Sequence, residues 1–222
     1  MKEYYKRIPL CLCGLMLFGL GNVFSVASGS AGTNAWNTLA LGIAGRSGMG
    51  FGTATFCISL VIVLIGLLGK GKFGLGSLLN LTLIPVFSDL FLSLFRFIPT
   101  APNAIIGAMY TLLGQIILSF ATIIYMTPGL GCGPRDTLMI LIGRKFPKLP
   151  IGGAKFFIEL CALLAGILLQ APFGIGTVLV MVLQASIFQF TCRITHYEPR
   201  SIRHEDLPET LRRLFKKNTS NT

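Results

Sequence analysis

Six apolar stretches, each long enough to cross a bilayer as a helix, make up most of this 222-residue chain. A spanning helix needs about 20 mainly apolar residues. The predicted spans are Ile8–Ala27, Thr53–Gly69, Leu75–Phe95, Ala104–Met126, Ile151–Ala171 and Phe173–Ile194. Only 12% of the residues are charged, whereas a soluble domain usually has about 25%. The sequence therefore predicts an all-α polytopic membrane protein and excludes a soluble globular domain.

The basic residues fall mainly on one side of this layout. The chain has 19 Lys and Arg against 8 Asp and Glu. If the N-terminus is inside, Arg46 and Arg96 are the only two of these 19 that lie outside. An excess of Lys and Arg marks the cytoplasmic loops of membrane proteins. We therefore expect a cytoplasmic membrane protein with both termini in the cytoplasm.

The chain contains an internal repeat. Residues 52–79 and 152–179 are identical at 12 of 28 aligned positions, and several of these are spaced glycines. Each copy holds three spans, so the second copy enters the membrane from the opposite side. We predict two inverted three-helix repeats, residues 1–100 and 101–196, followed by a cytoplasmic basic amphipathic tail at 197–222.

The link between the first two spans of each copy is glycine-rich. The two segments are Gly29–Leu39 and Pro128–Leu138. Gly131 and Gly133 interrupt a helix, and Pro134 suits the first turn of a new one. The negative charge of Asp136 is favourable at the positive N-terminal end of that new helix. We predict short half-helices that begin near Ala35 and Pro134. Two interpretations stay open: re-entrant segments around a central cavity, or surface loops followed by interfacial helices.

These segments nominate a candidate site at the interface between the repeats, where inverted-repeat transporters bind substrate. Ionisable residues within spans join it, because charge is costly in hydrocarbon. The candidate cavity residues are Asn34, Trp36, Asn37, Asp89, Gly131, Gly133, Pro134, Arg135, Asp136 and Glu159. As an alternative, Asp89 forms an ion pair with Arg96. Glu159 similarly has Lys155 and Arg135 as alternative partners.

Common signatures of catalysis are absent from the sequence. It contains no phosphate-binding Gly-x-x-x-x-Gly-Lys-Ser/Thr, no His-Glu-x-x-His and no Gly-x-Ser-x-Gly. The six cysteines form no Cys-x-x-Cys, and both histidines, His196 and His204, lie in the C-terminal region. Clustered ligands are needed for a zinc site. We therefore predict no enzymatic activity, no metal and no cofactor.

The string from Gly131 to Leu138, Gly-Cys-Gly-Pro-Arg-Asp-Thr-Leu, together with the three-plus-three spans, resembles the YczE/YitT-like family of bacterial integral membrane proteins. The resemblance covers about residues 5–195 and is closest to the YczE branch. It implies a multi-pass protein of the bacterial cytoplasmic membrane and no particular activity. The signature residues that it carries over are Gly131, Gly133, Pro134, Arg135 and Asp136.

Two functions stay open from the sequence. The first is a small-solute transporter or channel with its site at the repeat interface, and a wet central cavity favours it. The second is a non-transporting scaffold or regulatory partner that binds another protein through residues 135–148 and the tail. Deletion of residues 205–222 is expected to impair the scaffold and to spare a transporter. The bilayer is the expected environment in both cases, and nucleic acid is not an expected partner.

Overall fold

The computed structural model describes residues 4–146, 148, 151–198 and 204–215. Within these ranges the chain forms nine α-helices and one 3-10 turn at Gly29–Ala31, and no strand. The helices are α1 (Tyr4–Ala27), α2 (Ala35–Ser47), α3 (Phe51–Leu68), α4 (Leu75–Leu94), α5 (Ala104–Met126), α6 (Pro134–Lys145), α7 (Ile151–Leu168), α8 (Ile175–Ile194) and α9 (Leu207–Phe215).

Five of these helices, α1, α3, α4, α5 and α8, are long and apolar enough to cross a membrane. The prediction of an all-helical polytopic membrane protein is therefore confirmed. Helix α7 lies within the predicted fifth span and carries Lys155 and Glu159. Many large apolar side chains on α3, α7 and α8 are exposed at the protein surface, as expected for helices that face lipid.

The two short helices begin where local sequence signals predict. Helix α2 starts after Asn34, whose side-chain oxygen accepts a hydrogen bond from the Asn37 N–H at 3.0 Å. Asparagine is a preferred residue at this capping position. Helix α6 starts with Pro134 in its first turn, directly after Gly133. Proline suits this position because its φ is that of a helix, and because the N–H group that it lacks would have no partner within the helix in the first turn.

Glycines let the chain that precedes each short helix touch the start of a distant spanning helix. Gly32 has a φ of +76° and Gly131 a φ of +130°, values that glycine adopts most readily. A Cβ atom added at Gly32 would lie 2.9 Å from the Gly174 nitrogen. One added at Gly131 would lie 2.8 Å from the Gly74 Cα. Each short segment therefore packs against the last long helix of the other half of the chain.

Close packing of small residues joins α1 to α5 at the centre. A Cβ added at Gly14 would come within 2.4 Å of the Tyr125 nitrogen, and one added at Gly114 within 3.0 Å of the Gly21 oxygen. Small residues let helix backbones approach closely in membranes. Around this pair, α4 packs on α1 and α8 on α5, while α2 packs on α7 and α6 on α3.

One helix contact has no equivalent in the other half. Helix α3 packs along α4, whereas α7 and α8 lack comparable packing among the residues that the structure describes. The α3–α4 contact is tight at Gly52, where an added Cβ would lie 2.3 Å from the Pro85 oxygen. A hydrogen bond from Gln184 to Glu159 connects α8 and α7.

The start of the C-terminal tail packs on the helical body. The Glu205 N–H donates to the Gly129 oxygen at 2.8 Å, and the Leu207 N–H donates to the Phe73 oxygen at 2.9 Å. These backbone bonds hold the start of the predicted amphipathic tail against the protein. The predicted amphipathic faces include side chains outside the described set, namely Leu211, Arg213, Leu214, Phe215, Lys216 and Lys217.

Candidate functional site

A cavity of about 440 Å³ lies among the helices, and each of α1 to α8 contributes to its wall. Ligand sites of this size hold small molecules. Both short helices reach it through residues at their N-terminal ends, Ala35 and Trp36 in α2 and Pro134 to Asp136 in α6. The two irregular segments therefore meet at one internal space.

The cavity wall combines charged and amide side chains with a largely apolar surface. Its charged groups include Arg135, Asp136, Lys155 and Glu159. Its amides are Asn34, Asn80, Gln115 and Gln184. Polar groups in such a place require partners, since lipid and apolar side chains offer none. The wall is thus suited to a solute that carries polar or charged groups.

Arg135 lies over the indole ring of Trp36. The guanidinium carbon is 4.7 Å from the ring centroid, within the range of a cation–π contact. This contact joins the start of α6 to the start of α2. Among the described residues, the Arg135 guanidinium has no ion pair and no hydrogen-bond acceptor. Its orientation is therefore set by an aromatic face. The Asp136 and Glu159 carboxylates attract its charge from beyond ion-pair distance.

Asp136 follows Arg135 in the first turn of α6. The Tyr125 hydroxyl donates to its Oδ2 atom at 3.4 Å, a long hydrogen bond. A negative charge is favourable at a helix N-terminus, which explains why this carboxylate is tolerated there. No cation forms an ion pair with Asp136 among the residues that the structure describes.

Glu159 is buried, and its partners are local. It is 7% exposed and accepts a hydrogen bond from the Gln184 side chain. The half-exposed Lys155 Nζ lies 4.0 Å from its Oε1 atom. The structural role that the sequence offered for Glu159, pairing with Lys155, is the arrangement seen. The alternative partner, Arg135, forms no ion pair with it in the described chain.

Three predicted cavity residues lie elsewhere. Asn37 is buried in a chain of hydrogen bonds, in which its Nδ2 donates to Asn22 and Asn22 donates to Ser88, both at 2.9 Å. Gly131 lines an adjoining pocket of about 190 Å³, which shares Cys132 and His204 with the cavity wall. Asn37 therefore has a packing role, and Gly131 lies beside the cavity.

The third predicted cavity residue that lies elsewhere is Asp89, which the structure places at the contact between α3 and α4. Its Oδ1 atom accepts a hydrogen bond from the Gly52 N–H at 2.7 Å. The predicted ion pair with Arg96 is absent among the described residues. The free N–H at the start of α3 provides a nearer partner for the carboxylate.

Sequence reasoning missed many residues of the cavity wall, among them Tyr197 and His204. Both follow the last span, so composition assigned them to the cytoplasmic side. Burial lowers the pKa of His204 and raises the pKa of Tyr197 to about 12. His204 Nδ1 is buried with no hydrogen-bond partner in the described chain. The only sequence signal was the histidine beside two acidic residues, Glu205 and Asp206.

An ion pair between Arg7 and Glu205 fixes the segment that carries His204. Arg7 Nη1 and Glu205 Oε1 are 2.6 Å apart, and the Tyr4 hydroxyl donates to Glu205 Oε2 at 2.8 Å. Arg7 Nε also donates to the Pro128 oxygen at 2.7 Å. We call Tyr4, Arg7 and Glu205 the latch. It places His204 at the cavity and joins α1, the segment before α6, and the tail.

Within the described ranges, no group of three His, Cys, Asp or Glu side chains is placed to hold a metal ion.

Comparisons with known proteins place the chain among bacterial membrane proteins. No solved structure matches it. An "Uncharacterized protein" of Haemophilus influenzae is 36% identical over 191 residues, which cover 86% of this chain and 85% of the relative. The "Uncharacterized membrane protein YczE" of Bacillus subtilis is 28% identical over 192 residues, with coverage of 86% and 87%. The expected resemblance to YczE is confirmed. Residues 5–193 match the family of unknown function DUF6198, and the chain belongs to that family.

Proposed function

We propose that this protein is a small-solute transporter of the bacterial cytoplasmic membrane. One observation carries the proposal: a cavity of about 440 Å³ lies where two short helices meet, with charged residues in its wall. Broken backbone at membrane depth is tolerated where it lines a cavity or is buried in protein. In many transporters the substrate site lies between such broken segments. A scaffold has no need for an internal space with charged walls.

The proposed architecture is six spans in two inverted three-span repeats, with α7 as the fifth span. The crossed glycine contacts support it. Aligned residues make equivalent contacts in opposite directions: Gly32 with Gly174 and Thr177, and Gly131 with Gly74 and Ser77. A two-fold relation between the halves predicts such reciprocal pairs. The distribution of basic residues supports termini on the cytoplasmic side.

Unequal packing of equivalent helices supports alternating access. Helix α3 is packed on α4, with Asp89 bonded to Gly52, while the corresponding α7 and α8 lack this packing in the described chain. In inverted-repeat transporters the halves exchange conformations, which opens the central site to each side in turn. We propose that the other state separates α3 from α4 and packs α7 on α8.

The native cysteines provide the test. Cys132 lines the cavity, whereas Cys11 is fully buried and lies outside the cavity wall. Two variants each keep one of these as the only cysteine and have the other five changed to alanine. Both are treated in membrane vesicles with a charged, membrane-impermeant thiol reagent.

The proposal expects Cys132 to react in the folded protein and Cys11 to react only after unfolding. A third variant carries Gln115→Cys as its only cysteine, because Gln115 lines the cavity. If both this cysteine and Cys132 are as unreactive as Cys11 from both sides of the membrane, the cavity is dry and the scaffold function is favoured. Labelling of both Cys132 and Cys11 would indicate a loosened fold, and would also contradict a defined water-filled site.

A further inference from the structure

We propose that the cavity binds a small zwitterion, with its carboxylate at Arg135 and its ammonium at Asp136. This inference rests on the proposed transport function and names the class of solute. An α-amino acid is the simplest molecule of that class. The inference depends on which charges of the cavity wall are already paired within the protein.

Lys155 and Glu159 are paired with each other and with Gln184. The Lys155 Nζ is 4.0 Å from Glu159, and the Gln184 amide donates to the same carboxylate. The Lys155 side chain is half-exposed, and it also belongs to the cavity wall. These two opposite charges therefore need no ligand.

Arg135 is a cation of the cavity wall that has no carboxylate within ion-pair distance in the described chain. The Trp36 ring covers one face of its guanidinium at 4.7 Å, and the described chain supplies no acceptor for its N–H groups. A planar guanidinium binds a carboxylate through two parallel hydrogen bonds. Stacking on an aromatic ring holds the guanidinium in place and leaves its edge available for this contact.

Asp136 is the matching anion. Its described partner is a hydroxyl 3.4 Å away, and no ion pair joins it to Arg135 or to Lys155. A primary ammonium has three donors and is a suitable partner for such a carboxylate. Arg135 and Asp136 both line the cavity, so a single solute inside it can contact both of them.

Charge then discriminates between classes of solute. A simple anion would pair with Arg135 but would be repelled by the nearby Asp136 carboxylate. A simple cation would pair with Asp136 but would be repelled by the Arg135 guanidinium. An uncharged solute would leave both groups unpaired. Specificity often arises from such unfavourable contacts with the wrong ligand. A zwitterion satisfies both charges at once.

The test measures thermal unfolding of the full chain in lipid nanodiscs with defined probes. The zwitterions are glycine, L-leucine and L-phenylalanine, which differ in side-chain size because most of the cavity wall is apolar. L-leucinamide and N-acetyl-L-leucine keep the leucine side chain and carry only a positive or only a negative charge. We expect at least one zwitterion to raise the unfolding temperature saturably, at a concentration at least tenfold below that needed for either monopolar probe.

Two variants assign the ends of the ligand. Arg135→Gln is expected to weaken zwitterion binding at least tenfold. Asp136→Asn is expected to remove the repulsion of anions, so that N-acetyl-L-leucine gains affinity relative to L-leucine. A change of preference does not follow from reduced stability alone. Arg46→Gln, at an exposed position away from the cavity, is the matched control and should bind as the parent protein does.

Failure of the three zwitterions to stabilise the protein would overturn the inference, as would equal stabilisation by L-leucinamide. An unchanged preference in Asp136→Asn would overturn the assignment of the ammonium site. If Cys132 is labelled from water but no zwitterion binds, the proposed transport function stands and the solute class is rejected. If neither Cys132 nor the cysteine at position 115 is labelled and no zwitterion binds, both proposals fail.

Discussion

Arg7 and Glu205 lie 198 positions apart in the chain, and their side chains form an ion pair of 2.6 Å. Glu205 is 4% exposed, and the Tyr4 hydroxyl binds its other carboxylate oxygen. The pair connects the first helix to the segment that carries His204 to the cavity. The start of the tail is therefore a structural part of the cavity wall.

Replacing Glu205 with glutamine should destabilise the protein by about 3 kcal/mol, because Arg7 loses its carboxylate in a mostly buried place. Lys72 and Asp206 form the comparison pair at 3.0 Å, with side chains 70% and 29% exposed. Lys72→Gln should cost under about 1 kcal/mol, as for an exposed ion pair. Chemical denaturation of the two variants measures the difference. Equal losses would contradict a structural role for the latch.

Truncation should distinguish two parts of the tail. Removing residues 216–222 leaves every described tail contact in place, and we expect a change in stability within about 0.5 kcal/mol. Removing residues 205–222 deletes Glu205 and its contacts, so it should destabilise the protein strongly. The sequence-based expectation that this longer deletion spares a transporter is therefore replaced. Unfolding curves of both truncated proteins test whether only the longer deletion destabilises the protein. Similar curves for the two proteins would contradict this prediction.

His204 should make the protein less stable in mild acid. Burial lowers its pKa below the usual 6.5, and the Asp136 carboxylate only partly opposes this effect. The unfolded chain therefore takes up a proton near pH 6.5 while the folded chain resists until lower pH. The stability that depends on His204 is lost as the pH falls below about 6.5. Once the pH is below the pKa of His204 in the folded protein, this histidine causes no further loss.

The measurement compares unfolding temperatures of the parent protein and His204→Gln between pH 7.5 and 5.0. We expect the parent to lose more stability than the variant across this range. Carboxylates titrate in both proteins, so the difference between the two curves isolates the histidine. Parallel curves would show that His204 does not resist protonation.

A methyl group at Gly52 should separate α3 from α4. The added Cβ would lie 2.3 Å from the Pro85 oxygen and 2.6 Å from the Asp89 Cγ. We expect Gly52→Ala to cost about 1–3 kcal/mol through overpacking, and to increase labelling of Cys132 from the outer face. Gly45→Ala is the control, since an added Cβ there meets nothing within 4 Å. If both variants behave alike, the α3–α4 contact does not control access.

Local signals made the helices and the starts of α2 and α6 predictable. A run of apolar residues, Asn34 before α2 and Pro134 in α6 act within a few residues of where they stand. The roles of Asn37, Asp89 and His204 depend on distant partners. Asn37 bonds to Asn22, Asp89 bonds to Gly52, and His204 is placed by the latch. No periodicity or composition encodes those pairings, so the sequence predicts Asn37 and Asp89 in the cavity and His204 on the cytoplasmic side.

The polar lining itself was partly predictable. The sequence predicts Arg135 and Asp136 at the site because they follow the glycines of the second irregular segment, and Glu159 because an ionisable group within a span is costly. The sequence did not indicate that Arg135 stacks on Trp36 and has no carboxylate within ion-pair distance in the described chain, since that depends on how α2 and α6 meet. The charge balance of the cavity is thus a property of the fold.

The central claim, that the cavity is exposed to each side of the membrane in turn, is tested most directly at Gln115, which lies on α5 in the cavity wall. Gln115→Cys, in a protein without other cysteines, is labelled with an impermeant thiol reagent in right-side-out and inside-out vesicles. The account predicts labelling from both faces, with pretreatment from one face blocking the other. Labelling from neither face, or from one face alone, would contradict it.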